Sequence, residues 1–231
     1  MPRKERLRLE AFLEPVELEE EQVLLEPEKP IRSVIFIDSA VACTVQQMTN
    51  GDTIETGLIG LEGLAGFQLW LGAETTPTKV IVQVAGRARR MSAHHFKREV
   101  IKTASPLNRL IALYTHAFLS MTSITAACNR LHTVEERLCR WLKMTHSRVG
   151  RDEFYLRQKF IADMLGVHRP TVSHAAHHLQ EAGLIKYSRG HMKILDPHGL
   201  AAGACECRQT IAAQMDKIFN RSWREAARDV R

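Results

Sequence analysis

The sequence is short of several things that would mark common protein classes. Its first ten residues, MPRKERLRLE, contain no apolar h-region, so a secretory signal is not expected. Cysteine is sparse and odd in number, five in 231 residues, which argues against a disulfide framework and for free thiols in a reducing compartment. Cys205 and Cys207 form a single CxC with no second pair near them in sequence, so no metal site is expected there. His177 and His178 are adjacent and cannot share one helix face, which removes them as paired ligands. The strand-rich N-terminal region shows no nucleophile motif or histidine–carboxylate cluster, and Asp38, Asp52 and Glu55 have no evident partners. Neither an enzyme nor a bound cofactor is therefore expected. Acidic and basic residues are both missing from Leu110 to Asn129. Thr115, His116, Ser120, Thr122, Ser123, Thr125 and Asn129 interrupt that stretch, which argues against a lipid-facing helix. A cytoplasmic protein is the expectation.

What is present is unevenly charged. Through Leu131 there are 15 Lys+Arg and 15 Asp+Glu; from His132 onward there are 17 and 11, with 8 of the 11 histidines. The net charge of +6 thus belongs entirely to the second part, where an anionic partner would bind.

Residues 16 to 91 contain short β-branched or alternating runs, including Ser33–Ile37, Cys43–Met48, Thr53–Leu58, Lys79–Val84 and Ala88–Met91. Turn signals separate them, among them Asn50-Gly51-Asp52, which predicts a hairpin. This is the pattern of an antiparallel barrel or jelly roll. A helical pattern begins near Ser92. Leu107, Leu110, Tyr114, Ala117, Met121, Ile124, Cys128 and Leu131 then recur in alternating steps of three and four, as in a dimeric coiled-coil seam. A helix packed on its own domain would show nearly the same period. Thr133 and Glu136 have capping-box spacing and start a new helix. The sequence divides on this basis into an α+β arrangement: a β-barrel over 1–104, a dimerisation helix over 105–131, and a basic C-terminal domain over 132–231.

The segment LRQKFIADMLGVHRPTVSHAAHHLQEAGLI, from Leu156 to Ile185, predicts a helix-turn-helix. Gly166 suits the tight turn, Ala162 the close helix crossing, and Pro170 the first turn of the second helix. The outward face of that helix offers His168, Arg169, Thr171, Ser173, His174, His177 and His178, with no acid before Glu181. These are donors for phosphates and base edges. A hairpin around Arg189-Gly190 follows as a wing, with Lys186, Arg189, His191 and Lys193 toward a DNA backbone. Arg169 is the candidate for reading a base and Arg189 and Lys193 for phosphates, with His174 a weaker contact.

The order of barrel, long helix and winged helix-turn-helix, with that segment and the string TIETGLIGLEGLAGFQLWLG, resembles the cyclic-AMP receptor/Fnr family of bacterial transcription regulators. The strings GLIGLEGLAG and AACNRLHTVEERLCRWL resemble a subgroup of that family without an assigned effector. The resemblance implies a cyclic-nucleotide-binding-like sensor domain, a homodimer, a roughly palindromic double-stranded DNA site, and RNA polymerase as a further partner. Cyclic-nucleotide-binding members carry Gly-Glu and Arg-Ser/Thr anchors. Here Phe67 and Gln68 follow Gly66, Thr76-Pro77-Thr78 replaces the phosphate pair, and Lys79 is the nearby cation. Gly66, Phe67, Gln68 and Lys79 are the candidate lining of an effector pocket, for a ligand other than a cyclic nucleotide. The alternative is a redox-responsive regulator acting through Cys43, Cys128, Cys139 or Cys205/Cys207.

Overall fold

The computed structural model describes residues 3–103 and 106–219. After α1 (Arg3–Glu10), eight strands follow: β1 (Glu14–Leu18), β2 (Val23–Leu25), β3 (Ser33–Ile37), β4 (Val41–Gln47), β5 (Thr53–Ile59), β6 (Leu64–Ala65), β7 (Lys79–Val84) and β8 (Gly86–Ser92). They form two four-stranded sheets, ordered β1-β8-β3-β6 and β2-β7-β4-β5. The expected strands are present, and the architecture is the mixed α+β arrangement of strands, long helix and helix-turn-helix. Ser92 caps α2 (Ala93–Phe96), its hydroxyl accepting from the His95 amide at 3.2 Å. A π-helical turn over Lys97–Ile101 leads toward α3 (Pro106–Leu131).

The chain divides into two units that differ from the domains expected from sequence. One comprises 1–44 and 59–119; the other comprises 45–58 and 120–231. The tip of the β4–β5 hairpin thus groups with the C-terminal part, and the division falls inside α3.

In the first unit Val34, Val41, Val82, Val84 and Phe96 are fully buried and form the centre of the core. Arg89 on β8 grips Asp38 with three hydrogen bonds of 2.7 to 3.1 Å, and Arg90 meets Glu14 directly across the β1–β8 ladder. Asp38 therefore has the partner that sequence did not disclose. The first half of α3 is packed here. Trp70 Nε1 donates to Asn108 Oδ1 at 3.0 Å, and Asn108 Nδ2 donates in turn to the Val100 carbonyl at 2.7 Å. The Tyr114 ring lies where a side chain at Gly63 would be, 2.4 Å from an ideal Cβ, so this approach requires glycine.

That packing revises the expected seam. Tyr114, Ala117, Met121 and Cys128 are all buried within the single chain, so a partner helix cannot reach them. Leu107 and Ile124 are half-buried, and only Leu110 and Leu131 are exposed. The three-four repeat marks the face that α3 packs inward. The stretch Leu107–Leu131 is also long and apolar enough to cross a membrane, with a mean hydropathy of 1.3, and 39% of its most apolar window is buried within the chain.

In the second unit α4 (Val134–Val149) begins with the expected capping box, Thr133 and Glu136 each bonding the other's backbone amide. Beyond it come β9 (Glu153–Tyr155), α5 (Gln158–Leu165), α6 (Arg169–Glu181), β10 (Ile185–Ser188), β11 (His191–Ile194), α7 (Pro197–Gly203) and α8 (Cys207–Phe219). The third sheet has the order β10-β11-β9. α4 buries Leu138, Trp141 and Leu142, and with them Arg137, Arg140 and Arg148. Glu55, on β5, is 3% exposed and accepts a 2.6 Å hydrogen bond from Trp141 Nε1. Burial pushes its carboxyl up to about 7, against the opposing pull of Trp141, Arg140 and Arg148.

A raised carboxyl takes up a proton on folding. Its unfavourable effect is absent below the ordinary value of 4.5, grows as pH rises, and is complete above about 7. At pH 8 this amounts to about 3 kcal/mol, an upper estimate from the size of the shift. Glu55→Gln keeps an acceptor for Trp141 and removes the charge. It should raise stability at pH 8 by up to about 3 kcal/mol and flatten the pH dependence of denaturant unfolding between 4.5 and 7. A variant less stable than the parent at pH 8 would mean that the carboxylate, held by Arg140 and Arg148, is the favoured form.

Candidate nucleic-acid interface

α5 and α6 are joined by Gly166, whose φ of +61° is the left-handed turn predicted for it. A side chain there would also sit 2.8 Å from Ile54 Cδ1. Ile161, Ala162 and Leu165 of α5 pack beside Val172, Ala175, Ala176 and Leu179 of α6, all buried. Arg137 of α4 donates from Nη2 to the Leu165 carbonyl, placing a cation at the negative end of α5.

This packing turns His168, Arg169, Thr171, His174 and His177 outward, all exposed, with Ser173 and His178 half-buried beside them. Gln158 Oε1 accepts from Arg169 Nε and from Ser173 Oγ, each at 3.3 Å, so one side chain on α5 holds two residues of α6. The histidines are less available than their spacing implied. His178 Nδ1 lies 3.2 Å from Glu135, its ring is 4.2 Å from that of His174 at a tilt of 59°, and His177 pairs with Glu181 at 3.3 Å.

The wing is the β10–β11 hairpin, in register from Ile185↔Ile194 to Ser188↔His191, with β9 on its other side. Arg189 and Gly190 make the turn with φ of +50° and +87°. His191 is exposed at the hairpin end, its ring 5.3 Å from that of Tyr155. Lys193 is occupied: its Nζ donates to Glu153 Oε1 at 2.6 Å, which raises the ammonium's proton affinity and lowers that of the carboxyl. Between wing and helix-turn-helix lies a groove of about 390 Å³, lined by Arg157, Gln158, Lys159, Arg169, Arg189 and the rings of Tyr155 and Tyr187. Four cations and no carboxylate line it. Arg157 and Lys159 were not singled out from sequence, because they sit in the loop and first turn of α5 rather than on the recognition helix. Their position just ahead of the α5 apolar face was the signal available.

The candidate effector residues differ in their settings, and Gln68 Oε1 is buried with no hydrogen-bond partner. Phe67 is buried, its ring 5.8 Å from Tyr114 and 5.1 Å from Phe118, so it belongs to the core that seats α3. Gly66 has a φ of +88° and no room for a side chain against the Ser33 carbonyl. Gln68 and Lys79 are half-exposed, and the Thr76 and Thr78 hydroxyls bond each other at 2.9 Å.

The reading of Cys205 and Cys207 as a lone pair is corrected. The chain brings them to Cys128 and His132, and the four candidate ligand atoms lie within 4.8 Å of one another. All five cysteines are free thiols and buried. Burial acts to raise the Cys128 thiol, but Arg140 and hydrogen bonds from Cys205, His132 and Cys207 outweigh it and hold the group below its ordinary value. Cys205 is pushed up to about 12 by burial and by Cys128, and Cys139, outside the cluster, to about 11 by burial and two glutamates.

Residues 136–202 match the family model of the Crp-like helix-turn-helix domain. No curated protein matches the chain by sequence. Among solved structures, FixK2 from Bradyrhizobium japonicum superposes with a TM-score of 0.69 at 13% identity, covering 84% of this chain and 98% of its own. The c-di-GMP-responsive global regulator CLP of Xanthomonas campestris gives 0.67 at 13%, covering 84% and 100%. A transcriptional regulator of the Crp/Fnr family from Eubacterium rectale gives 0.63 at 16%, covering 88% and 94%. With its β-sheet domain, long helix and winged helix-turn-helix in this order, the chain has the fold of these Crp/Fnr-type regulators, and its residues 136–202 are a Crp-like helix-turn-helix domain.

Proposed function

We propose that the protein works in the cytoplasm as a homodimer on a roughly palindromic duplex, each α6 entering one of two successive major grooves about 34 Å apart. The observation that carries this reading is the acid-free cationic groove joining α6 to the wing. Arg169, held at the start of α6, can offer its planar fork to O6 and N7 of a guanine. Arg157, Lys159 and Arg189 flank it and serve the phosphates, with Thr171 and Ser173 as hydroxyl donors and His168, His174, His178 and His191 as lesser contacts. Lys193 contributes once a phosphate displaces Glu153. RNA polymerase is the partner through which a DNA-bound dimer would change transcription.

The dimer contact on this reading is the outward face of α3. Arg109, Leu113, His116, Ser120, Ser123, Ala127 and Arg130 follow one another in steps of four and three, opposite the buried face, and none is buried. Leu119, 59% exposed, and Leu131, 74% exposed, border the stripe. Small side chains at Ser120, Ser123 and Ala127 allow close helix approach, and the exposed leucines supply apolar area.

Two measurements test these proposals. Arg169→Ala should cost about 1–3 kcal/mol of DNA affinity and relax the preference at one position of each half-site. Arg189→Ala should weaken all sequences alike and lower the salt slope by roughly one unit for each phosphate that a subunit no longer neutralises. Glu153→Gln, by releasing Lys193, should strengthen binding to every sequence. Anisotropy titrations on single-base operator variants at two salt concentrations distinguish these, and unchanged binding by Arg169→Ala would misplace the recognition helix. For the dimer, Ser123→Glu combined with Leu119→Glu should sediment as a monomer with unaltered circular dichroism. A double variant that remains dimeric would put the interface elsewhere.

A further inference from the structure

Cys128 and His132 are four residues apart at the end of α3, the spacing that places two side chains on one helix face. Cys205 and Cys207 approach from the junction of α7 and α8. The Cys128 and Cys205 sulfurs are 3.5 Å apart, and Cys207 Sγ lies 3.7 Å from His132 Nδ1. In a tetrahedral zinc site, Zn–S bonds of about 2.3 Å set neighbouring sulfurs about 3.8 Å apart. The observed separations match that edge. An iron–sulfur cluster would place sulfide and further iron between the ligands and would need them more widely spread.

Two features outside the four ligands agree. Glu206 Oε1 lies 3.1 Å from His132 Nε2, so a proton on Nε2 is held by the carboxylate and the Nδ1 lone pair faces Cys207. This is the carboxylate–histidine arrangement that orients an imidazole on a metal. Arg140 is 2% exposed and its Nε has no hydrogen-bond partner, although a buried guanidinium needs compensating negative charge. Three thiolates around one divalent cation leave a net charge of minus one beside it. We propose that Cys128, His132, Cys205 and Cys207 form a Cys3His site for a single thiophilic divalent cation, zinc by its donor set, that fastens the end of α3 to the α7–α8 junction. Four protein ligands close the shell, so the site is structural. Binding converts three thiols to thiolates and releases their protons to solvent. The site is independent of the DNA-binding reading.

The test uses the full chain purified in reductant without chelator. Elemental analysis should find one zinc per chain, and after chelation Co²⁺ should restore one equivalent with thiolate-to-cobalt charge transfer and tetrahedral d–d bands. Cys205→Ser and Cys207→Ser should lose that spectrum, while Cys43→Ser and Cys139→Ser keep it. Glu206→Gln is an exposed change that leaves every ligand in place, and it should weaken Co²⁺ binding roughly 10- to 100-fold. Chelator should lower the melting temperature of the parent. The proposal is overturned by parent protein that takes up neither metal, by Cys205→Ser with an undiminished cobalt spectrum, by iron with acid-labile sulfide, or by a Cys128–Cys205 disulfide in metal-free protein. The last of these would assign the cluster to thiol redox chemistry.

Discussion

The second unit depends on one demand: three arginines of α4 are buried, and each must meet electron-rich atoms inside the protein. Arg137 finds the carbonyl that ends α5. Arg148 donates to the Met144 carbonyl of its own helix at 3.2 Å. Arg140 lies among Glu55, the Met144 sulfur and the thiols that gather around Cys128. A lone buried guanidinium would be several kcal/mol out of balance. The demand therefore fixes where the hairpin tip, α5 and the cysteine cluster must be, and α4 becomes the common support of all three.

The helix-turn-helix inherits its rigidity from that support. α5 is held at one end by Arg137 and at the other through Gln158, and α6 has its inner face filled by Val172, Ala175, Ala176 and Leu179. The polar outer face has no packing task in the chain. On α3 the division is the same in kind. One face is committed to the chain's own core, and the opposite, smaller and more polar face is left outward.

Much of this was legible in the sequence because it rests on local chemistry. The strands, the Thr133 capping box, the Gly166 turn, Pro170 in the first turn of α6 and the Arg189-Gly190 hairpin each depend on neighbours within a few residues. The failures were nonlocal. A three-four repeat reports an apolar face but not what covers it, so the inward face of α3 read as a seam between chains. Phe67 looked like a pocket residue beside Gly66 until Tyr114 and Phe118 closed on it. Cys205 and Cys207 looked solitary because Cys128 is 77 residues away from Cys205, although Cys128 and His132 at helix spacing were a visible half of the cluster. Glu55 and Trp141, 86 residues apart, could not be paired from sequence at all.

Gln158 has a role larger than its two bonds of 3.3 Å. A free arginine side chain loses up to about 2 kcal/mol of rotamer entropy when it is fixed in a complex. Because Gln158 already holds Arg169 and Ser173 within the chain, part of that loss is incurred during folding. On the DNA-binding reading proposed above, the two side chains would reach a duplex pre-organised, and a mismatched base would meet a fork less able to swing to another acceptor. A residue that touches no base can thereby sharpen the difference between right and wrong sites.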